Sequence, residues 1–219
     1  MEEVKCYMPK TLAEALEIKS KVDVIPLAGG SDLMVSHKRT IGLVPVFEKP
    51  VMIIRNLPEL KGIRINEKGE CCIGACCTSN EIATSPLCPW HLRQAASRMG
   101  AVGLRNSATI AGNIANASPK GDTPGPLYLL DARVKLSSVH GEREELVSDF
   151  IVAFRNIDLK SDELITEIIV PYSEDDFDYV FWHKVGTRKA NAISKLTVSQ
   201  AIKFNDDNSV KDYRLSATP

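Results

Sequence analysis

Ala108-Thr109-Ile110-Ala111-Gly112-Asn113-Ile114-Ala115-Asn116-Ala117-Ser118-Pro119-Lys120-Gly121-Asp122 sets small and hydrogen-bonding residues side by side with almost no bulky side chain. Backbone of that kind can approach a ligand closely. Gly112 and Gly121 remove the steric barrier to tight or left-handed conformations. Thr109, Asn113, Asn116, Ser118 and Asp122 offer donors and acceptors along the stretch. It therefore reads as a cofactor cradle. Upstream, Ala28-Gly29-Gly30-Ser31-Asp32 lies between the apolar residues 22–27 and Leu33-Met34, the pattern of a strand, a glycine turn and a helix starting at about Ser31. Successive N–H groups in such a turn, with the positive end of a helix, suit a phosphate or pyrophosphate. Two such turns suit the grip of one dinucleotide.

The 219 residues are enough to bury a sizeable core and to form two lobes. With 27 Lys and Arg against 28 Asp and Glu, the net charge is -1. That balance provides no broad cationic field, so no nucleic-acid partner is expected. No apolar run approaches the roughly 20 residues that span a bilayer, and Met1-Glu2-Glu3-Val4-Lys5 lacks the features of a signal peptide. The expectation is a cytoplasmic protein with no membrane association. Four of the six cysteines crowd into Cys71-Cys72-Ile73-Gly74-Ala75-Cys76-Cys77. Doubled cysteines suggest a thiolate metal or iron–sulfur site. A strand, however, sends Cys71 and Cys77 to one face and Cys72 and Cys76 to the other, so a buried strand is the favoured reading. His37, His91, His140 and His183 lie apart with no ligand spacing, and no metal site is expected.

Thr11-Leu12-Ala13-Glu14 has the form of a capping box opening a helix. It feeds a strand over 22–27, the glycine turn and a β-run at 51–54, a βαβ order with its ligand at the strand ends. From Ile63 hairpins take over, at 63–66 with 71–75 and at 134–138 with 142–146. Thr78-Ser79-Asn80-Glu81 caps a short helix, and residues 90–99 form a longer one stopped by Gly100. Pro124 and Pro126 suit the first turn of a helix, which places Asp122 beside its start. Residues 164–170 alternate as a strand. Ser173-Glu174-Asp175-Asp176 reads as a solvated linker before three antiparallel strands at 179–185, 196–204 and 210–215.

The glycine turn lacks the lysine and hydroxyl of a P-loop, and the dinucleotide fingerprint G-x-G-x-x-G is absent. Instead, Pro26-Leu27-Ala28-Gly29-Gly30-Ser31-Asp32-Leu33 together with Leu104-Arg105-Asn106-Ser107-Ala108-Thr109-Ile110-Ala111-Gly112-Asn113-Ile114 through Asp122 resembles the two FAD loops of the molybdenum hydroxylases, the xanthine dehydrogenase and carbon monoxide dehydrogenase family. Glu163-Leu164-Ile165-Thr166-Glu167 and Lys184-Val185-Gly186-Thr187-Arg188 fit the same family, and the resemblance runs from about Tyr7 to Pro219. It implies an α+β, two-lobed FAD-binding fold, with lobes at 1–58 and 59–172 and a shortened, apparently truncated antiparallel lobe at 173–219. It implies that Leu27, Ala28, Gly29, Gly30, Ser31, Asp32 and Leu33 wrap the pyrophosphate. Ala108, Thr109, Gly112, Asn113, Ser118 and Asp122 would hold ribityl, ribose and phosphate groups, with Leu164 or Ile165 against the flavin or adenine. Lys184 would stand near the isoalloxazine, favouring the reduced anion. Ala111 departs from the family pattern, standing where a glycine is usual.

The implied function is an electron-transfer flavoprotein subunit with non-covalent FAD. Iron–sulfur clusters and the molybdenum cofactor would sit on partner subunits, with NAD, quinone or another carrier as acceptor. Two other classes fit a flavin site: a regulatory module without redox partners, and a self-contained flavin reductase of the cell-wall precursor type, which would need its own substrate acid.

Overall fold

The computed structural model describes residues 4–38, 40 and 42–219; Met1, Glu2 and Glu3 of the opening stretch and residues 39 and 41 lie outside them. The chain opens with β1 (Cys6–Tyr7), α1 (Leu12–Lys21), β2 (Ile25–Leu27), α2 (Leu33–Ser36) and β3 (Val51–Ile53). Thr11 caps α1 by accepting the Glu14 N–H at 3.2 Å, but Glu14 reaches back to the N–H of Lys10, at 2.8 Å, and not to that of Thr11. The box is thus displaced by one residue from the sequence reading. The strand expected over 22–27 shrinks to three residues, because the Val22 N–H closes α1 on Ile18 and the Val24 N–H bonds Val22. β3 pairs in parallel with both β1 and β2, giving the order β1-β3-β2. The βαβ order holds, and β1 is an addition to it.

Next come β4 (Ile63–Ile65), β5 (Cys71–Gly74), α3 (Ser79–Thr84), α4 (Trp90–Ser97), α5 (Val102–Arg105), α6 (Ile110–Ala115), α7 (Pro124–Leu129), β6 (Arg133–Ser138), β7 (Gly141–Leu146), α8 (Val147–Phe150), β8 (Ile151–Ala153), β9 (Asn156–Ile157) and β10 (Leu164–Val170). The second sheet is antiparallel, ordered β4-β5-β10-β6-β7. β10 is its middle strand and is buried at every position except Glu167, which is half-buried. Such a strand is covered on both faces. The capping box at Thr78 forms as read, with Glu81 bonding back to the Thr78 N–H.

β5 stops at Gly74, so Cys76 and Cys77 do not continue the strand as the sequence suggested. The Ala75 N–H turns to Thr166 and the Cys76 N–H to Leu60, and a Cβ at Gly74 would stand 2.6 Å from the Leu60 carbonyl oxygen. All four cysteines of the cluster are buried. Each of the last two thiols donates to a different carbonyl, Cys76 to Ile54 and Cys77 to Gly62. Burial pushes them up to about 12 and 11, so both stay protonated. Among the described residues, no group of three or more His, Cys, Asp or Glu side chains gathers to hold a metal ion.

β11 (Tyr179–Gly186), β12 (Ser194–Phe204) and β13 (Val210–Thr218) form a third, antiparallel sheet. Its inner face, with buried Trp182, Thr197, Ser199 and Ala201, packs on α4 and α7 of the same chain. His91 on α4 bonds the Gln200 carbonyl at 2.9 Å. The outer face leaves Tyr179, Phe181, Leu196, Tyr213 and Leu215 exposed. The acidic run is not a solvated linker. Glu174–Asp176 is a 3-10 turn capped by Ser173, and the Glu174 carboxylate accepts from the Trp90 N–H and from Arg93, both at 2.6 Å. One carboxylate thereby fixes the crossover to α4.

His91 is fully buried and its Nδ1 finds no protein partner. Desolvation holds its pKa below the ordinary 6.5, against smaller opposing effects of the Gln200 carbonyl and Glu174. A folded state that prefers neutral imidazole is stabilised above the unfolded pKa and loses that stability as pH falls below it. Urea unfolding at pH 7.5 and 5.5 should therefore show a larger acid loss for the wild type than for His91→Gln. Equal losses would remove His91 as the cause.

Candidate cofactor cleft

The first loop leaves β2 at Leu27 and turns at Gly29-Gly30, where Gly30 has φ +69°, a conformation that favours glycine. Helix α2 begins at Leu33, two residues later than the sequence reading, and lasts one turn. Donor groups here therefore come from loop backbone. Among the described residues, none accepts a hydrogen bond from the N–H groups of Gly29, Gly30, Ser31 or Asp32. Four consecutive free amides form an anion-binding concavity.

The second loop behaves differently. The first amides of α6 are already used: Ile110 bonds Cys77 at 3.0 Å, Ala111 bonds Ala75 at 3.3 Å, and Gly112 bonds the Thr109 hydroxyl at 3.2 Å. These bonds sew α6 to the turn after β5. The Asn113 side-chain amide oxygen, Oδ1, accepts the Thr123 hydroxyl at 2.7 Å, which ties the return of the loop to the helix. Ser118 accepts the Lys120 N–H within its own turn.

The two loops touch. A Cβ on Gly29 would lie 1.9 Å from the carbonyl oxygen of Ser107, a contact no other residue type permits. The Ser107 hydroxyl donates to the Gly29 carbonyl at 3.0 Å. Arg55 completes the joint, donating to the Ser107 hydroxyl at 3.1 Å and to the Asn106 carbonyl at 3.0 Å.

Between and beyond the loops lies a cleft of about 980 Å³, at the upper end of ordinary small-molecule sites. Its walls include Leu27, Ala28, Gly29, Gly30, Ser31, Asp32, Leu33, Ala108, Thr109, Gly112, Asn113, Asp122, Leu164 and Ile165. Ser118 and Lys184, also proposed from sequence, are not in the wall. Residues that sequence reasoning missed are Met99, Gly100 and Leu104, the thiol of Cys76, and the β11–β12 connection with Arg188, Ile193 and Lys195. The left-handed Gly100, at φ +47°, was legible only as a helix stop. Cys76 does face the cofactor cleft, although neither glycine-rich loop contains a cysteine. Its protonated thiol is no nucleophile.

Asp122 brings the charge. Its carboxylate is buried in the wall, with the Lys184 ammonium 2.7 Å from Oδ1 and donating to Oδ2 at 2.9 Å; the side chains are 9% and 8% exposed. Lys184 also donates to the Arg98 carbonyl at 3.2 Å. Burial raises the Asp122 pKa, and Lys184 opposes that rise. The ammonium thus meets the cleft through Asp122.

A cleft formed by two glycine-bearing loops, one rich in free amides, defines a protein that binds a phosphate-bearing cofactor. Residues 2–173 match the family described as FAD binding domain in molybdopterin dehydrogenase, and the chain belongs to this family of molybdenum-hydroxylase flavoproteins. The nicotinate dehydrogenase FAD-subunit of Eubacterium barkeri is 34% identical over 94% of this chain and 71% of its own length. The glyceraldehyde dehydrogenase medium chain of Sulfolobus acidocaldarius is 32% identical, over 94% and 72%. The fold is that of carbon monoxide dehydrogenase from Hydrogenophaga pseudoflava, with a TM-score of 0.85 at 24% identity over 99% of this chain and 74% of that one.

Gly29→Ala should force the two loops apart, destabilise the protein by about 1–3 kcal/mol as overpacking does and abolish FAD retention. At Gly112 an added Cβ meets only the Thr109 hydroxyl, at 2.9 Å. Gly112→Ala should therefore cost no more than a lost cap, ~1 kcal/mol. Melting temperature and bound-flavin absorbance check both; a yellow, fully stable Gly29→Ala would refute the contact as a constraint.

Proposed function

We propose that this chain is the electron-transfer flavoprotein subunit of a cytoplasmic molybdenum-containing dehydrogenase complex. Electrons would come from the iron–sulfur clusters of a partner subunit, fed by a molybdenum cofactor on another, and leave to an acceptor such as NAD. The observation that carries the reading is the row of free amides at 29–32 held against Ser107 at the mouth of a cleft large enough for a dinucleotide. Bound FAD would supply the exchange between one-electron and two-electron transfer that the side chains of the cleft do not provide.

The residues fit that group. The amides of Gly29, Gly30, Ser31 and Asp32 hold the pyrophosphate, and Ala28 and Ala108 leave room for its approach. Asn113 and Asp122 offer polar atoms to ribityl and ribose hydroxyls, while Thr109 keeps the α6 turn in shape. Leu27, Leu33, Leu164 and Ile165 supply apolar walls that keep water from the rings. Ser118 acts through its turn and Lys184 through Asp122, whose carboxylate it orients and keeps charged. Lobes at 1–58, 59–172 and 173–219 would each give the cleft a wall residue, since Gly29, Asp122 and Arg188 all line it.

Acid precipitation of the purified chain should release one FAD, non-covalently bound. Flavin remaining on the precipitate, or flavin mononucleotide in the supernatant, would overturn the assignment. Lys184→Met strands a buried carboxylate, a change that typically costs about 3–5 kcal/mol. The Asp122 pKa, already raised, rises further. An acid whose folded pKa exceeds its unfolded value loses stability as pH increases between the two. The variant should therefore unfold more easily at pH 8 than at pH 5 relative to wild type, and Lys184→Met with Asp122→Asn, which removes the titrating acid, should abolish that added pH dependence. Its flavin potential should fall, on the order of 30 mV for each 1.4 kcal/mol; an unchanged potential and pH profile would leave Lys184 without a part in the site.

A further inference from the structure

We infer that the hairpin β8–β9 is the element on which the iron–sulfur partner docks, an inference that rests on the electron-transfer reading above. The hairpin projects: residues 152–156 are all exposed, with Val152 at 61% and Phe154 at 68%. Its base is rigid. Phe150 is fully buried, and Arg143 holds Glu163 with two bonds and the Asp158 carbonyl with a third at 2.7 Å. Two large apolar side chains held in water on a fixed support mark an interaction surface, where a floppy tip would not.

The position selects the partner. The Arg155 N–H bonds the carbonyl of Ala117 at 3.1 Å, so the hairpin turn is fastened to the second cofactor loop. Leu159, just beyond β9, lines the cleft. The hairpin thus sits against the cleft wall, and a donor of electrons has to come within transfer distance of a flavin held in that cleft. The charge fits as well: Arg155 and Lys120 are exposed there and, among the described residues, neither forms an ion pair. A cluster ligated by four thiolates is net anionic, so cations here favour its approach. Arg155 also stacks over Phe154, 5.4 Å from the ring centroid, and aromatic residues and arginine are both enriched at interfaces.

The probe is the iron–sulfur subunit recovered from the native complex through a tag on this full-length chain, identified by its iron and acid-labile sulfide, then separated and remixed. Val152→Asp with Phe154→Asp, and separately Arg155→Glu, should weaken binding by at least about tenfold while FAD content and melting temperature stay at wild-type values. Tyr213→Asp with Leu215→Asp, on the outer face of the third sheet, should bind normally. Hydrogen exchange on the wild-type pair gives a reading that needs no variant: residues 151–157 should gain protection. Normal binding by the hairpin variants, or no added protection at 151–157, overturns the docking site. A wild-type chain that retains FAD but binds no iron–sulfur protein overturns the electron-transfer reading itself.

Discussion

The approach of Gly29 to the Ser107 carbonyl is the contact on which the site depends. It joins a loop of the parallel sheet to a loop of the antiparallel one at a distance that excludes any side chain. Because the joint is made of backbone, neither loop can drift without breaking the Ser107–Gly29 hydrogen bond and the two bonds of Arg55. Each such bond contributes about 0.5–1.5 kcal/mol net. Their larger effect is geometric: they hold the loop that carries the unbonded amides at 29–32 in the wall of the cleft. The second loop, whose amides are spent on Ala75 and Cys77, is the fixed jaw against which the first is set.

The third sheet adds the side of the cleft that the two loops cannot supply. Its inner face carries Thr197 and Ser199, and it is seated through His91 and the Glu174 turn as well as by apolar packing. From that seat β11 delivers Lys184 to Asp122, and the following connection delivers Arg188 and Ile193 to the wall. A buried ion pair adds little to stability once desolvation is counted. Its value lies in direction. The pair fixes a carboxylate oxygen in a wall where burial raises the acid's pKa and Lys184 opposes that rise.

Short-range chemistry was legible in the sequence and long-range chemistry was not. The Thr78 box, the hairpins at 63–75 and 133–146 and the glycine turn at 29–30 follow from residues within a few positions of one another, and each forms. The second small-residue stretch, by contrast, is helix α6 over 110–115 and not open loop backbone. Strand β1 could not be read, because two residues become a strand only through Val51 and Met52 of β3. Glu14 illustrates the same limit on a smaller scale, since which of two adjacent N–H groups it takes depends on side-chain reach. Lys184 carries no local sign that its ammonium will end on Asp122. Ser118 looked like a ligand group because its competition, the Lys120 N–H two residues on, is invisible in composition. The wall at 187–195 lacks any pattern of its own and enters the site only because β11 and β12 aim it there.

Cys76 shows how the parts constrain one another. Its position at the cleft follows from β5 ending at Gly74, which follows from the Leu60 carbonyl that leaves no space for a Cβ there. Ending the strand turns the amides of Ala75 and Cys76 inward and leaves the Ala75 and Cys77 carbonyls to hold α6. The same turn that anchors the second loop thus brings a thiol to the wall. A thiolate beside a redox cofactor would be a competing nucleophile. Burial and the Ile54 carbonyl keep this one protonated and weakly polar, so it fills the wall as a small hydrophobe. The chemistry of the cleft is left to the cofactor and to the few groups that the two loops and the third sheet present to it.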